Sequence, residues 1–227
     1  MFSDERTHRI IGILSDSFFP ILKAGLEFTI PLTLITFVLG LIVAFLTAIA
    51  RISNIKPLQA IARFYVWIFR GTPLLVQLFI LFYGLPSAGI TLSPFPAAVI
   101  GFTLNVGAYA SEIIRAAILS TPKGQWEAAY SIGMTRAQAM KRIILPQALR
   151  VSIPPLGNSF ISLVKDTSLA ATITVTEMFQ KSQEIASTTY EPLWLYIEVA
   201  FLYLLFSTVL SALQSYLEKR FDRSVAK

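Results

Sequence analysis

Apolar residues in this chain run in long blocks, and the polar residues gather in the gaps between them. A membrane-spanning helix needs about 20 mainly apolar residues. Five blocks reach or approach that length, at roughly 25–50, 58–86, 95–117, 153–173 and 193–217. The second is too long for one straight span. Arg70-Gly71-Thr72-Pro73 interrupts it, which predicts an interfacial lead-in followed by the span proper. The expected architecture is all-α and integral to a membrane, with about five transmembrane helices in one domain, 1–227.

Composition agrees: 55% of residues are hydrophobic and 14% charged, with a mean hydropathy of +0.65, where soluble domains average about 45–50% and about 25%. The formal charge of +6 does not point to nucleic acid, because the basic residues are confined to a few gaps instead of spread over a polar face. Those gaps set an orientation, since Lys and Arg are retained on the cytoplasmic side. Segments 51–70, 118–150 and 217–227 hold thirteen of the 19 basic residues. The connection 87–94 is uncharged, and 174–192 sets Lys181 against Glu177, Glu184 and Glu191. The expected topology is N-out and C-in, with Arg6, Arg9 and Lys23 running against it. The absence of cysteine excludes a disulfide framework. His8 alone cannot build a zinc site and reads as a solvated residue of the polar N-terminus. Residues 1–17 mix Asp4, Glu5, Arg6, Arg9 and Asp16 with a short apolar patch, so no cleavable signal peptide is expected.

One gap is unusual. "WEAAYSIGMTRAQAMKRIILPQAL", residues 126–149, is basic and alanine-rich between two oily segments. Thr135 to Gln138 has the spacing of a capping box, predicting a helix start, and Ala137, Ala139 and Met140 favour helix within it. Gly133 separates this helix from the preceding 125–132 segment, where a left-handed turn wants a residue lacking Cβ. Pro146 is expected to limit how the second helix continues. A short helix, a glycine turn and a second short helix are therefore predicted at the inner membrane surface. Two readings fit: an amphipathic pair resting on anionic lipid, or a docking element in which Ala128 and Ala129 allow close approach and Glu127 supplies a charged anchor.

The spacing Glu127-Ala128-Ala129, Gly133, Ile143, Leu145-Pro146 reproduces the EAA loop, EAA-x3-G-x9-I-x-L-P, at every signature position. The chain thereby resembles the transmembrane permease subunits of binding-protein-dependent ABC importers. "FRGTPLLVQLF" (69–79), "SEIIRAAILSTPKGQWEAA" (111–129) and "SLVKDTSLAATITVTEM" (162–178) resemble the polar amino acid uptake subgroup, whose substrates include histidine, glutamine, arginine, glutamate and cystine. The resemblance implies a type I importer transmembrane domain in the bacterial cytoplasmic membrane. It implies that the loop, about 120–147, forms coupling helices docking into a cleft of an ATPase subunit. It also implies two ABC ATPase subunits that bind ATP and Mg, a second permease subunit (identical or not), an extracellular solute-binding protein and an amino acid substrate. No cofactor is expected in this chain.

Ionisable residues inside spans are costly and therefore functional suspects. Lys165 and Asp166, flanked by Asn158, Ser159, Ser162, Thr167 and Ser168, offer an acid for a substrate ammonium and a cation for its carboxylate; pairing with neighbouring helices is the competing reading. Asn105 is a candidate pore-lining amide or an interhelical hydrogen bond. Glu112 and Arg115 stand at i, i+3 and can pair on one helix face, and Glu198 is a further buried-acid candidate. For Arg70-Gly71-Thr72-Pro73 the structural reading is a helix break with Arg70 anchoring the inner interface. The phosphate-cradling pattern G-x-x-x-x-G-K-[ST] does not occur, nor does a nucleophile elbow, so a non-enzymatic transport subunit is expected. The alternative from another class is an autonomous secondary transporter or channel, which inverted repeats with broken helices would support.

Overall fold

The computed structural model describes residues 4–223. Lys227 of the basic C-terminal tail lies outside the described residues, as do the side chains of Lys219, Arg220 and Arg223. Among the described residues only helices and their connections occur. In chain order they are α1 (Asp4–Ala24), α2 (Ile30–Ile52), α3 (Lys56–Gly71), α4 (Leu74–Phe79), α5 (Pro94–Leu119), α6 (Lys123–Ser131), α7 (Arg136–Ala139), α8 (Leu145–Asp166), α9 (Met178–Thr189) and α10 (Pro192–Arg223). Among the described residues three helical runs are long and apolar enough to cross a membrane: Asp4–Ile52, Pro94–Leu119 and Pro192–Tyr216. Lys56–Gly71 with Leu74–Ala88 makes a broken fourth candidate.

The span expected over 153–173 is bounded differently. Its α-helix starts at Leu145 and ends at Asp166, and a tighter 3₁₀ helix follows over Thr167–Ile173. The hydroxyls of Thr167, Ser168 and Thr172 donate to the carbonyls of Val164, Lys165 and Leu169, each at 2.7 Å and three residues back. Such local bonds compete with the α-helical ladder and favour a tightened turn. The left-handed Thr174 (φ 63°) closes it.

Three widened π turns occur among the described residues, at Gly25–Thr29, Ile80–Gly84 and Met140–Ile144. Each is followed by one residue and then a proline: Pro31, Pro86 and Pro146. The residue between donates its N–H five positions back, Ile30 to Gly25, Leu85 to Ile80 and Leu145 to Met140. A proline inside a regular helix lacks its N–H and clashes with the carbonyl four residues earlier. One widened turn absorbs both problems. Pro146 therefore does not shorten the second helix of the charged stretch, contrary to expectation, and the helical path from Arg136 runs on into α8.

The chain divides into two compact units, one of residues 1–37, 74–102 and 161–212, the other of residues 38–73, 103–160 and 213–227. In the first, Ile21, Met178, Ala186, Leu195, Val199 and Leu202 form a buried core. Gly25 makes this packing possible, because a Cβ there would come within 2.7 Å of Met178 Sδ. The polar N-terminus is helical. His8 is exposed on α1, and the cations that ran against the topology have local partners. Arg6 stands 3.9 Å from Glu191, Arg9 donates to the Thr189 carbonyl at 3.0 Å, and Lys23 stands 3.7 Å from Glu27.

The second unit packs through small residues. Ala44, Ala48, Ala110, Ile114, Ala117, Ile118, Ile144 and Ala148 form its core. At Gly107 a Cβ would fall 2.7 Å from both the Tyr65 hydroxyl and Val43. Small faces let helix backbones approach where lipid removes any hydrophobic drive between helices.

Candidate coupling element and translocation path

The charged stretch is built as a rigid bracket. α6 follows Pro122 and ends in a Schellman motif: the Met134 N–H donates to the Ala129 carbonyl at 3.1 Å and the Gly133 N–H to Tyr130 at 2.9 Å. Gly133 sits at φ 78°, the left-handed region that side-chain-bearing residues avoid. The capping box of α7 is complete. Gln138 N–H donates to the Thr135 hydroxyl at 3.3 Å, and Thr135 N–H donates to the Gln138 side chain at 2.9 Å.

The signature residues divide between two jobs. Ala129 is fully buried. Ile143 and Leu145, with Trp126 and Met140, pack against the core of the second unit. Glu127, Ala128, Gly133 and Pro146 are exposed, as are Tyr130 and Ile132. One side of the bracket is therefore seated on α2 and α5, and the other presents a small, mixed polar and apolar surface. A further tie was not foreseen: the Arg136 guanidinium donates to the Asn54 side-chain oxygen at 2.9 Å and to the Ile52 carbonyl at 3.2 Å. Asn54 lies in the short break after α2, in a polar gap where nothing in the local sequence singled it out.

The break at Arg70-Gly71-Thr72-Pro73 follows the sequence. Thr72 is extended (φ −121°, ψ 147°), as a residue preceding proline prefers, and its hydroxyl donates to the Ile68 carbonyl at 2.9 Å. Arg70 lies over the Tyr109 ring, 5.3 Å from its centroid, and 3.8 Å from Glu112. Glu112 is thus more than a partner for Arg115, which meets its Oε2 at 2.8 Å. Its Oε1 also pairs with Arg51. Glu112 is the only acid between Glu27 and Glu127; that isolation, not the i, i+3 spacing, signals that several cations share it.

The polar residues expected to line a path are distributed as follows. Ser162, Lys165 and Asp166 belong to the first unit and are exposed in this chain. Asn105 and Asn158 belong to the second. Asn105 is half-buried and engaged. Asn158 accepts from the Gln214 amide at 3.3 Å, an interhelical bond. Glu198 is nearly buried and accepts from the Ser17 hydroxyl at 2.5 Å, which makes it a helix contact. Among the described residues the fully buried acid is Glu177. It caps α9 by accepting from the Gln180 N–H at 2.8 Å and also accepts from the Tyr203 hydroxyl. Burial pushes its carboxyl upward against the pull of those hydrogen bonds. Among the described residues no group of three or more His, Asp or Glu is placed to hold a metal ion.

The family described as binding-protein-dependent transport system inner membrane component matches residues 36–223. The L-cystine transport system permease TcyB of Bacillus subtilis (strain 168) is 57% identical over 216 residues, 95% of this chain and 92% of that protein. The probable glutamine ABC transporter permease GlnM of the same organism is 42% identical over 83% of this chain and 86% of its own length. A crystal structure of an amino acid ABC transporter with histidines has a TM-score of 0.82 at 33% identity, covering 97% of this chain and 99% of the other. An inward-facing methionine ABC transporter shares the fold, with a TM-score of 0.64 at 21% identity.

Proposed function

Because the chain belongs to the family of binding-protein-dependent transport system inner membrane components, we propose that it is the pore-forming subunit of an ATP-driven importer of a polar amino acid, with L-cystine the first substrate to test. The observation that carries this reading is the 57% identity, over almost the whole of both chains, to a permease named for L-cystine. In this reading residues 1–227 are one permease domain, five spans run N-out to C-in, and the loop 120–147 faces the cytoplasm. Two ATPase subunits bind ATP and Mg there, a second permease subunit completes the pore, and an extracellular solute-binding protein delivers the amino acid. Glu127 and Ala128 meet the ATPase, Gly133 holds the turn, and Ile143, Leu145 and Pro146 transmit movement into the helix that follows. Ser162, Lys165 and Asp166, with Asn105 and Asn158, contribute polar contacts along the path. Arg70-Gly71-Thr72-Pro73 holds the second span at the inner interface.

Mechanically, an exposed acid and a small-residue patch on a bracket that is itself packed on two helices suit force transfer from outside the membrane. An autonomous secondary transporter has no use for such a surface. Uptake of labelled L-cystine by cells lacking their own cystine transport, with the chain expressed alongside its ATPase and binding protein, tests the reading. ATP-dependent accumulation competed by excess cystine is expected. Uptake that persists after the ATPase is deleted would overturn it.

A further inference from the structure

The second unit carries a concentration of cations that transport by itself does not call for. Arg51, Arg63, Arg70, Tyr109, Trp67 and Glu112 line a cavity of about 430 Å³, and Arg115 joins Glu112 from behind. Three guanidinium groups therefore meet one carboxylate and Arg63 stands on the same cavity wall, a formal excess of three positive charges. Glu112 spends Oε1 on Arg51 and Arg70 and Oε2 on Arg115. Arg63 is exposed at the cavity wall, with a 2.8 Å bond to the neutral Gln59. Unbalanced charge beside low-dielectric surface is expensive, and an anion relieves it. Guanidinium forks suit the oxygens of a phosphate diester.

The surroundings say which anion. Arg63, Trp67 and Arg70 lie at i, i+4 and i+7, so one stripe of α3 faces the cavity. From Trp67 the exposed apolar surface continues round the helix through Phe64 and Ile61 to Leu58, with the Phe64 and Trp67 rings 6.0 Å apart. An exposed apolar row with tryptophan at its end, next to arginines, is the pattern of a helix lying at the level of lipid headgroups. We propose that this cavity is a binding site for an anionic glycerophospholipid: the headgroup phosphate sits among Arg51, Arg63 and Arg70, and the acyl chains follow Ile61 and Phe64. A free phosphate would use the arginines but leave the apolar row without purpose. Basic pockets beside membrane helices are suited to such headgroups. The site depends neither on the amino acid carried nor on coupling to the ATPase.

The test is native mass spectrometry of the intact transporter complex, purified in detergent and titrated with phosphatidylglycerol or phosphatidylcholine. Wild type should retain phosphatidylglycerol preferentially. Arg63→Gln should lower that retention about fivefold, the loss expected for one interfacial cation, without changing assembly, because Arg63 holds none of the core contacts. Trp67→Ala is the second variant and should weaken retention of the same lipid. Inorganic phosphate and glycerol 3-phosphate should displace little. Equal retention of the two lipids, or retention unaltered in both variants, overturns the proposal. Displacement by free phosphate as effective as by lipid would overturn it too, leaving a small-anion site.

Discussion

The Arg136 guanidinium reaches from the start of α7 to the Asn54 side-chain oxygen at 2.9 Å, in the break that ends α2. A residue of the charged loop is thus tied directly to the end of a membrane helix, and the Ile52 carbonyl at 3.2 Å doubles the tie. Removing its side-chain half with Asn54→Ala should cost about 1 kcal/mol of local stability and lower the ratio of uptake to ATP hydrolysis while the complex still assembles. An unchanged ratio in reconstituted vesicles would assign the tie to folding alone.

Gly133 gives a sharper expectation. Nothing lies within 4 Å of where its Cβ would be, so a substitution there meets no neighbour and pays only for the left-handed backbone, about 1–2 kcal/mol. Gly133→Val should leave a membrane-inserted protein with a distorted turn and impaired coupling. Gly133→Asn should be milder, because asparagine visits that region. Equal ATPase-coupled uptake in the two variants would show that turn geometry is not what the loop contributes.

Glu177 lies in the connection between the last two apolar blocks, outside the spans, and makes stability depend on pH. Burial pushes its carboxyl above the ordinary 4.5, so the folded chain holds that proton more tightly than the unfolded one. The contribution is complete below 4.5 and is lost as pH rises through the raised value. Glu177→Gln removes the ionisation but keeps an acceptor for Tyr203. Its melting temperature relative to wild type should therefore climb as pH rises above the ordinary 4.5. A difference independent of pH would mean the carboxyl does not titrate there.

Lys165 and Asp166 end α8 with both side chains exposed in this chain. If they face the path, Asp166→Asn should cut uptake by an order of magnitude or so while complex yield is kept. Parallel loss of uptake and yield assigns Asp166 to assembly.

Much of this protein follows from local chemistry. Blocks of apolar residues demanded helices because backbone polar groups must be satisfied internally in lipid. Thr135, Gln138 and Gly133 set the bracket's start and turn within a few residues of each other, so their spacing was enough. Thr72 before Pro73 did the same for the break after α3. What local chemistry could not decide is where helices meet. The continuation through Pro146 depended on a widened turn, whose last residue, Ile144, sits in the core. The joining of Arg51, Arg70 and Arg115 on Glu112 brings together α2, α3 and α5, up to 64 positions apart in the chain. Glu177 looked like one acid of a polar connection until Tyr203 and the α9 amide enclosed it. Periodicity and capping act over one or two turns; ion pairs and burial act across space, and only the packed helices determine which residues share it.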